Sequence, residues 1–425
     1  MEGMQFCYPR PHWFAQALGS SYVESWIKAS RQPYWYRPAT LAVVAPFDHR
    51  SIDSVTGKHA DVDKMHAAGL MREMALFTRA HGVRAGVAEV YWSAGLTALA
   101  EPALRAVRDA ISQYFDMEAN ACFTARVALS SSRRSALLPV LRECGVTTLH
   151  TGVTPAHADL SASIEPFIDA ARSNGFRSIA VDLPIDQPHV SAETVRDWAA
   201  ALCLCRPSRI FLTRRGSEPA IRPSKGLDDA DLRLQRNWQA LFATLIAAGY
   251  EHIAHDAFAL HADELANAKR LATLVPRCYG YSTCASHASI AIGQGAVGNA
   301  GPMQYQNCRD PVSYAAMLDR EALPIERGLL TSPNDLARRA IMASLLTNFA
   351  VDVEAIEQCY WIDFRAVFRP ELVALEPLER DGFVEIDTKQ LRLTPIGRFA
   401  CGRVANLFDR YSQPLERARP EQDGA

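Results

Sequence analysis

The sequence predicts an α/β protein built from parallel βα units and followed by a smaller helical domain, and two patterns support this prediction. Between residues 39 and 275, short apolar runs that are typical of strands alternate with amphipathic helical stretches. Such an alternation favours parallel strands joined by crossover helices. From Ser332 onwards the pattern changes to helices followed by two short strands, which is typical of a winged helix.

The first part of the chain supplies most of the predicted elements. Residues 1–38 are irregular and rich in aromatic side chains, and we expect them to pack over the body of the protein. Strands are predicted at Leu41–Ala45, Gly86–Tyr91, Cys122–Leu129, Thr148–Gly152, Ser178–Leu183, Arg209–Thr213 and His252–His255. Helices are predicted between them, among them Asp61–His81, Pro102–Tyr114, Ser135–Cys144 and Ala192–Leu204.

The rest of the chain divides into a connection and a domain. Residues 276–331 are rich in Gly, Ser and Ala, a composition that predicts a hairpin and loops. Ser332-Pro333-Asn334-Asp335 is a helix-start pattern, so we predict a domain over residues 332–425. Within it we predict a helix at Arg365–Asp381, interrupted near Pro370 and Pro377, and a wing at residues 383–386 and 391–393.

Composition and charge argue against several classes of protein. A net charge of −2 over 425 residues gives no positive surface for nucleic acid. The first thirty residues lack the apolar centre of a signal peptide, and no segment has the roughly 18 apolar residues of a membrane span. We therefore expect a soluble, cytoplasmic protein without a nucleic-acid or membrane partner. The ten cysteines include no Cys-x2-Cys pair, and we expect them to be reduced thiols.

Two stretches of the sequence resemble a known family. The first runs Gly249-Tyr250-Glu251-His252-Ile253-Ala254-His255-Asp256 and continues with Gly280-Tyr281-Ser282-Thr283-Cys284 and Ile292-Gly293-Gln294-Gly295. The second includes Leu378-Glu379-Arg380-Asp381-Gly382-Phe383, Leu393-Thr394-Pro395-Ile396-Gly397-Arg398 and Phe408-Asp409-Arg410-Tyr411. Together they resemble the oxygen-independent coproporphyrinogen III oxidases, the HemN-type radical S-adenosylmethionine proteins. The resemblance implies a partial TIM-like (β/α)6 barrel and a C-terminal winged-helix-like domain that caps it.

The cofactor site of that family is altered in this sequence. The family holds a [4Fe–4S] cluster on Cys-x3-Cys-x2-Cys directly after a strand that ends in Pro-Phe. Here Pro46-Phe47 is followed by Asp48, Ile52 and Val55 at the three cysteine positions. We therefore expect no iron–sulfur cluster and no radical cleavage of S-adenosylmethionine.

Two further elements of the same cofactor site differ from the family pattern. Trp92-Ser93-Ala94-Gly95-Leu96 stands where the family has Gly-Gly-Gly-Thr-Pro, and we expect the indole to fill space that the glycines leave open. The family's glutamate on the third strand falls on or near Val127, which leaves Arg126 as the charged group. We do not expect S-adenosylmethionine to bind.

Charged and polar residues nevertheless stand at the predicted strand ends, where α/β barrels carry their chemistry. For a single such residue, a satisfied structural polar group is the commoner explanation, but the set as a whole is typical of a site. The predicted catalytic residues are Asp48, Glu89, Arg126, Asp182, His255 and Asp256, and the predicted substrate-binding residues are His49, Tyr91, Trp92, His150 and Arg214. Arg126 and Arg214 suit a carboxylate, and Asp48 or Glu89 can balance an amino or guanidino group.

Three hypotheses about function follow. The first is a cluster-less enzyme of specialised metabolism that acts on a small polar substrate. The resemblance suggests an amino acid related to arginine, because coproporphyrinogen-oxidase-like proteins occur where nitrogen–nitrogen bonds of diazeniumdiolates form. The second is a haem- or tetrapyrrole-binding protein, with axial candidates His49, His255, Cys284 and His287. The third is a catalytically dead partner of another enzyme in the same pathway.

A metal ion is a further alternative. His252, His255 and Asp256, with His261 beyond them, form the densest cluster of potential ligands. On a strand, however, residues 252 and 255 face opposite sides, so both cannot easily bind one ion. A second possible set, for non-haem iron, combines Asp48, His49, Glu89, His150 and His255.

Overall fold

A computed structural model describes residues 6–29, 38–45, 59–128, 134–153, 160–185, 191–213, 229–284, 286 and 288–411. The chain divides into two compact units. The first contains residues 1–215 and 233–331, and the second contains residues 216–232 and 332–425. Among the described helices, none combines the length and the apolar character that crossing a membrane would need.

The first unit is organised around a twelve-stranded mixed sheet. Six of its strands lie side by side in chain order and run parallel. They are β1 (Ala39–Val43), β2 (Ala85–Trp92), β3 (Phe115–Arg126), β4 (Thr148–Gly152), β5 (Ser178–Pro184) and β6 (Arg209–Thr213). Every residue of β5 is buried, as expected for a parallel strand covered on both faces.

Helices connect these strands and complete the βα units. The helices of the first unit are α1 (Ser20–Ala29), α2 (His59–His81), α3 (Ala94–Thr97), α4 (Glu101–Tyr114), α5 (Arg134–Glu143), α6 (Leu160–Ser173), α7 (Ala192–Cys205), α8 (Asp229–Ala247), α9 (Glu264–Arg270) and α10 (Pro311–Asp319). Local sequence sets their ends. Helix α7, for example, begins after Ser191, whose side chain accepts a hydrogen bond from Thr194 N, and ends at Arg206 in the left-handed conformation.

The sheet continues antiparallel beyond β6. Strand β8 (Ala257–Leu260) pairs with β6, and β7 (Tyr250–Ala254) pairs with β8 at the edge of the sheet. The predicted βα alternation is therefore present, with six parallel strands. The strand order begins at residues 325–330 and ends at β7, so the sheet remains open within the part of the chain that the structure describes.

Residues 276–331 contribute more strands than their composition predicts. Strands β9 (Val275–Arg277) and β10 (Gly280–Ser282) form a hairpin, as expected. Strand β11 (Ala288–Ile292) joins the large sheet parallel to β1, and β12 (Val297–Ala300), β13 (Met303–Asn307) and β14 (Ile325–Leu330) follow it antiparallel. The small residues serve close packing here, since a Cβ at Gly298 would lie 2.5 Å from the Tyr305 ring.

The second unit combines helices with a three-stranded sheet. Its helices are α11 (Pro333–Asn348), α12 (Val353–Tyr360), α13 (Phe364–Val367), α14 (Arg369–Arg380) and α15 (Cys401–Leu407), and its strands are β15 (Ala350–Asp352), β16 (Val384–Ile386) and β17 (Gln390–Leu393). Ser332 caps α11 in a capping box with Asp335. The helix predicted at Arg365–Asp381 is divided into α13 and α14 just before Pro370, and Pro377 lies inside α14.

Candidate functional site

Most of the predicted site residues that the structure describes lie on or beside one face of the large sheet. Directly paired residues of neighbouring parallel strands point to the same face, as do residues two apart along one strand. Arg126 on β3 pairs with His150 on β4, which pairs with Ala180 on β5. Asp182 lies two residues beyond Ala180 and pairs with Phe211 on β6. The register therefore places Arg126, His150, Asp182 and Phe211 on one face, in the C-terminal half of the parallel strands.

Asp182 is the centre of a hydrogen-bonded group on this face. His150 Nε2 lies 2.7 Å from Asp182 Oδ1, and Arg126 Nη2 donates a short bond to Asp182 Oδ2. The side chains of His150 and Asp182 are 8% and 6% exposed, and that of Arg126 is 19% exposed. Burial alone would raise the pKa of Asp182, but His150 and Arg126 outweigh it and hold this pKa below its usual range.

The ionised carboxylate determines which nitrogen of His150 carries a proton. Asp182 can only accept a hydrogen bond, so Nε2 of His150 donates. A neutral imidazole in this tautomer presents Nδ1 as its basic nitrogen. An imidazole held in this way by a carboxylate can serve as a general base that activates a nucleophile or removes a proton.

A second polar group lies beside the first across β6. The Phe211 ring is 5.2 Å from the His150 ring and is stacked on the Tyr281 ring at 6.1 Å. The Tyr281 hydroxyl donates a short hydrogen bond to Asp256 Oδ1, and His255 Nδ1 lies 3.6 Å from the same oxygen. Asp256 and His255 are thus connected to the Asp182 group through two aromatic rings.

Glu89 and Tyr91 lie on the same sheet face, nearer to β1. Glu89 Oε1 accepts a hydrogen bond from Thr283 N at 3.2 Å, and the Tyr91 ring is stacked on Tyr279 at 5.0 Å. Burial raises the pKa of Glu89 above its usual range, while a hydrogen bond from Ser282 and the charge of Arg277 act in the opposite direction. The β9–β10 hairpin and the two residues after it therefore contact β2, β6 and Asp256.

The N-terminal half of the face carries an ion-pair group that the sequence analysis did not include. Arg209 Nε is 2.9 Å from both carboxylate oxygens of Asp263, and its Nη2 is 2.8 Å from Glu264 Oε1. Ser178 donates to Asp263 as well, at 3.2 Å. Arg209 and Asp263 are almost fully buried, so we regard this group as structural. Its sequence signal is weak, because Asp263 also serves as the N-cap of α9.

Trp92, which the sequence analysis predicted to bind substrate, lies on the opposite face of the sheet from this group. Strand alternation directs Tyr91 to the site face and Trp92 to the opposite one. The Trp92 side chain is fully buried, with its ring 4.8 Å from the Phe123 ring in an edge-to-face contact. After Trp92 the strand ends at Ser93, whose hydroxyl caps α3 and accepts a hydrogen bond from Ala45 N at 3.0 Å.

Several predicted residues lie outside the described residues. These are Asp48, His49, Arg214 and the haem-ligand candidate His287, as well as the cluster positions Ile52 and Val55. Of the remaining haem-ligand candidates, Cys284 donates to Pro38 O at 3.7 Å and His255 lies beside Asp256.

The histidines of the proposed metal cluster do not converge. His252 packs against Trp238, Phe242 and Phe258, whereas His261 pairs with Glu251. Over the described ranges, no three His, Cys, Asp or Glu side chains are grouped so that they could hold a metal ion.

The family's cluster positions in this chain lack the thiolates that a [4Fe–4S] cluster needs. Such a cluster requires three cysteine ligands near one another. The sequence has no cysteine between Cys7 and Cys122, so the family's three positions after β1 carry none. All ten cysteines lie among the described residues, spread along the chain from Cys7 to Cys401. We therefore derive no chemical step through a cluster.

Comparisons of this chain with known proteins all find similarity to the same group of enzymes. Residues 331–400 match the family model described as the HemN C-terminal domain. The chain is 26% identical over 442 residues to the oxygen-independent coproporphyrinogen III oxidase of Escherichia coli, covering 98% of this chain and 93% of that protein. It is 30% identical over 298 residues to the enzyme of the same name from Pseudomonas aeruginosa, covering 66% of this chain but only 64% of that protein.

A solved structure has the same fold. The coproporphyrinogen III oxidase (HemN) of Escherichia coli, which is described as a radical SAM enzyme, superposes with a TM-score of 0.81 at 23% identity. The superposition covers 95% of this chain and 96% of the other. At this identity the likeness establishes the α/β fold with its large mixed sheet.

Proposed function

We propose that the chain is a cluster-less member of the oxygen-independent coproporphyrinogen III oxidase family, to which its sequence is similar, and that it acts on a small polar substrate without radical chemistry. The three cysteine positions of the family motif carry Asp48, Ile52 and Val55, which cannot supply thiolates. The charged residues of the sheet face are nevertheless present. Buried charges are costly unless they are paired or used, so a protein that had lost all chemistry would gain little by keeping them.

The hydrogen bond between His150 and Asp182 is the observation that carries this proposal. The lowered pKa of Asp182 keeps the carboxylate ionised, and the 2.7 Å contact fixes the orientation of the imidazole. In the proposed reaction His150 Nδ1 takes up a proton from the substrate, and Asp182 stabilises the imidazolium that forms. General-base catalysis of this kind contributes about 10²–10⁴-fold to a rate.

The charges around the dyad favour a substrate that carries both a carboxylate and a cation. Arg126 is the most exposed member of the Asp182 group, and a guanidinium has five N–H donors with which to meet a carboxylate. Glu89 and Asp256 supply carboxylates elsewhere on the same face. An amino acid related to arginine, whose guanidino group lies several bonds from its carboxylate, has this distribution of charge. This substrate class suits an enzyme of specialised metabolism, whose product a partner enzyme of the same pathway would use.

Calorimetric titration of the full-length protein with three ligands tests the proposal. L-Arginine carries both charges, agmatine lacks the carboxylate, and L-citrulline replaces the guanidinium by a neutral urea group. We expect L-arginine to bind at least about tenfold more tightly than either analogue, which corresponds to roughly 1.4 kcal/mol for each lost contact. Absence of saturable L-arginine binding, or equal affinity for all three ligands, contradicts the proposal.

Two variants test which residue contacts the carboxylate of the ligand and which contacts its guanidinium. Arg126→Gln should remove the preference for L-arginine over agmatine, and Asp256→Asn should remove the preference for L-arginine over L-citrulline. Arg84→Gln is the matched control, because Arg84 forms an exposed ion pair with Asp116. The site assignment fails if both preferences persist in the variants or if the control reduces them equally.

A further inference from the structure

A cavity separate from the site face lies between helices α2 and α10. Its volume is about 270 Å³. The described walls come from the end of β1, from α2, from the turn after β11 and from α10, and they include Val44, Met65, Leu70 and Leu318. Four polar side chains also border the cavity, namely His66, Arg72, Gln294 and Asp319, of which Arg72 and Asp319 pair with each other. Carbon atoms dominate these walls. An apolar cavity of this size has room for a molecule of one or two rings, since engineered cavities of about 150 Å³ bind benzene.

Gly69 is the part of the α2 wall that carries no side chain. A Cβ built on Gly69 would lie 3.6 Å from Leu318 Cδ1 and 3.6 Å from Tyr314 Cε1, which is an ordinary van der Waals contact. Helix α10 is meanwhile held in place on both sides. Asp310 caps its first turn, and Asp319 at its end pairs with Arg72 of α2 at 3.0 Å. The two helices are therefore fixed with an unfilled space between them.

A single buried hydrogen-bond network adjoins the cavity through Tyr314. The Tyr314 hydroxyl donates to Glu73 Oε2 at 2.6 Å, and Gly293 N donates to the same oxygen at 2.8 Å. Asn307 Nδ2 donates to Glu73 Oε1 at 2.6 Å and to Gly293 O at 2.8 Å. Glu73 is 1% exposed and Asn307 is 1% exposed, so both lie in the interior.

Above pH 7, where Glu73 is ionised, the remaining hydrogen-bonding capacity of this network consists of acceptors. The proton of Tyr314 and both protons of Asn307 Nδ2 are already engaged. Lone pairs remain on the Tyr314 hydroxyl and on Glu73 Oε1, and Asn307 Oδ1 is buried without a partner among the described residues. A ligand that contacts Tyr314 must therefore donate a hydrogen bond. A negative charge on the ligand would be repelled by ionised Glu73, and the mainly apolar walls favour an uncharged ligand.

We propose that this cavity is a binding site for a small, uncharged, mainly apolar molecule that carries one hydrogen-bond donor, of the size and kind of indole or a simple phenol. The apolar part lies against the apolar walls of the cavity, and the donor meets the hydroxyl oxygen of Tyr314. This site is independent of the sheet face, so it stands whether or not the protein acts on an arginine-related substrate.

Calorimetric titration with indole and 1-benzofuran at pH 8 tests the proposal. The two molecules have nearly the same shape, but benzofuran has an ether oxygen in place of the N–H donor. We expect indole to bind saturably and about tenfold more tightly than benzofuran, since one hydrogen bond contributes about that much. Equal affinities, or no saturable binding of indole, overturn the proposal.

Variants that fill the cavity locate the binding site. Gly69→Leu places a side chain in the space from α2, and Ala315→Leu does so from α10. Each should weaken indole binding at least about tenfold while circular dichroism shows a folded protein, and Ala315→Leu decides the matter if Gly69→Leu does not fold. Val312→Leu is the control, because Val312 is an exposed residue of α10 that is not part of the described wall. Unchanged indole affinity in a folded cavity-filling variant overturns the proposal.

Discussion

His150 Nε2 and Asp182 Oδ1 are 2.7 Å apart, and Arg126 binds the second oxygen of the same carboxylate. One buried acid on β5 thus determines the orientation of a base on the neighbouring strand β4 and of a cation on β3, one strand further. The arrangement depends on strand register, because Arg126 and His150 are direct partners across β3 and β4.

Removal of the Asp182 charge should destabilise the protein strongly. Asp182→Asn keeps the shape but removes the negative charge with which the mostly buried Arg126 pairs. Breaking a buried ion pair in this way costs about 3–5 kcal/mol, and urea unfolding followed by circular dichroism measures it. Glu385→Gln is the control, since Glu385 pairs with Arg392 at an exposed position where a loss of about 0–1 kcal/mol is expected. Similar costs for the two variants would show that the Asp182 group is not a tightly coupled unit.

Glu73 should make the folded protein more stable at acidic pH than at neutral pH. Burial raises the pKa of Glu73 from 4.5 to about 7, although hydrogen bonds from Tyr314, Gly293 and Asn307 act to lower it. A raised folded-state pKa means that the folded protein binds the proton more tightly than the unfolded chain. The stabilising contribution is fully present below about pH 4.5 and is lost as the pH rises through 7.

Comparison with Glu73→Gln isolates this contribution. The difference in free energy of unfolding between the wild-type protein and this variant should change between pH 4.5 and pH 7 by an amount on the order of 3 kcal/mol. All other ionisable groups cancel in the difference. Parallel pH profiles for the two proteins would mean that Glu73 titrates near its ordinary pKa.

Gly69→Ala should stabilise the protein. Gly69 lies inside α2, and glycine in a helix costs roughly 0.5–1 kcal/mol relative to alanine. The added methyl group meets Leu318 and Tyr314 at 3.6 Å, so no atom has to move. Gly249→Ala is an instructive contrast, because Gly249 has open space but a φ of +86° that a side chain disfavours. Thermal unfolding should show a higher midpoint for Gly69→Ala and a lower one for Gly249→Ala; the opposite order would contradict this account of α2.

Trp92→Leu should reduce stability without changing ligand affinity. Trp92 is fully buried against Phe123 on the face opposite the candidate site. Loss of this packing should cost on the order of 2–4 kcal/mol. In the folded variant, calorimetry should give the same affinity for L-arginine as in the wild-type protein, whereas Tyr91→Ala should reduce it. A large effect of Trp92→Leu on affinity alone would show that Trp92 contributes to the binding site.

The sequence predicted the βα units well because apolar periodicity is a local signal. The predicted strand Thr148–Gly152 coincides with β4, and Arg209–Thr213 coincides with β6. Strand β3 begins earlier than expected, at Phe115, because it follows α4 without the turn residues that normally mark a boundary. Strands β11–β14 were missed because small residues that pack tightly in a sheet have the same composition as residues of loops.

The candidate site could be predicted as a set of residues but not as a geometry. Strand ends identified Arg126, His150 and Asp182 individually, whereas their mutual contacts depend on the register of three strands. The exclusion of Trp92 could have been inferred from alternation alone, since Tyr91 and Trp92 are adjacent and must face opposite sides. The contribution of Tyr281 could not have been inferred from the sequence, because its hairpin reaches Phe211 and Asp256 only in the folded protein.

The most direct test of the account is anaerobic reconstitution of the full-length protein with iron and sulfide, followed by reduction in the presence of S-adenosylmethionine. Iron analysis and chromatography of the products are the measurements. With Asp48, Ile52 and Val55 at the cluster positions, we expect no stoichiometric iron and no 5′-deoxyadenosine. A bound [4Fe–4S] cluster that yields 5′-deoxyadenosine would contradict the proposal that this protein works without radical chemistry.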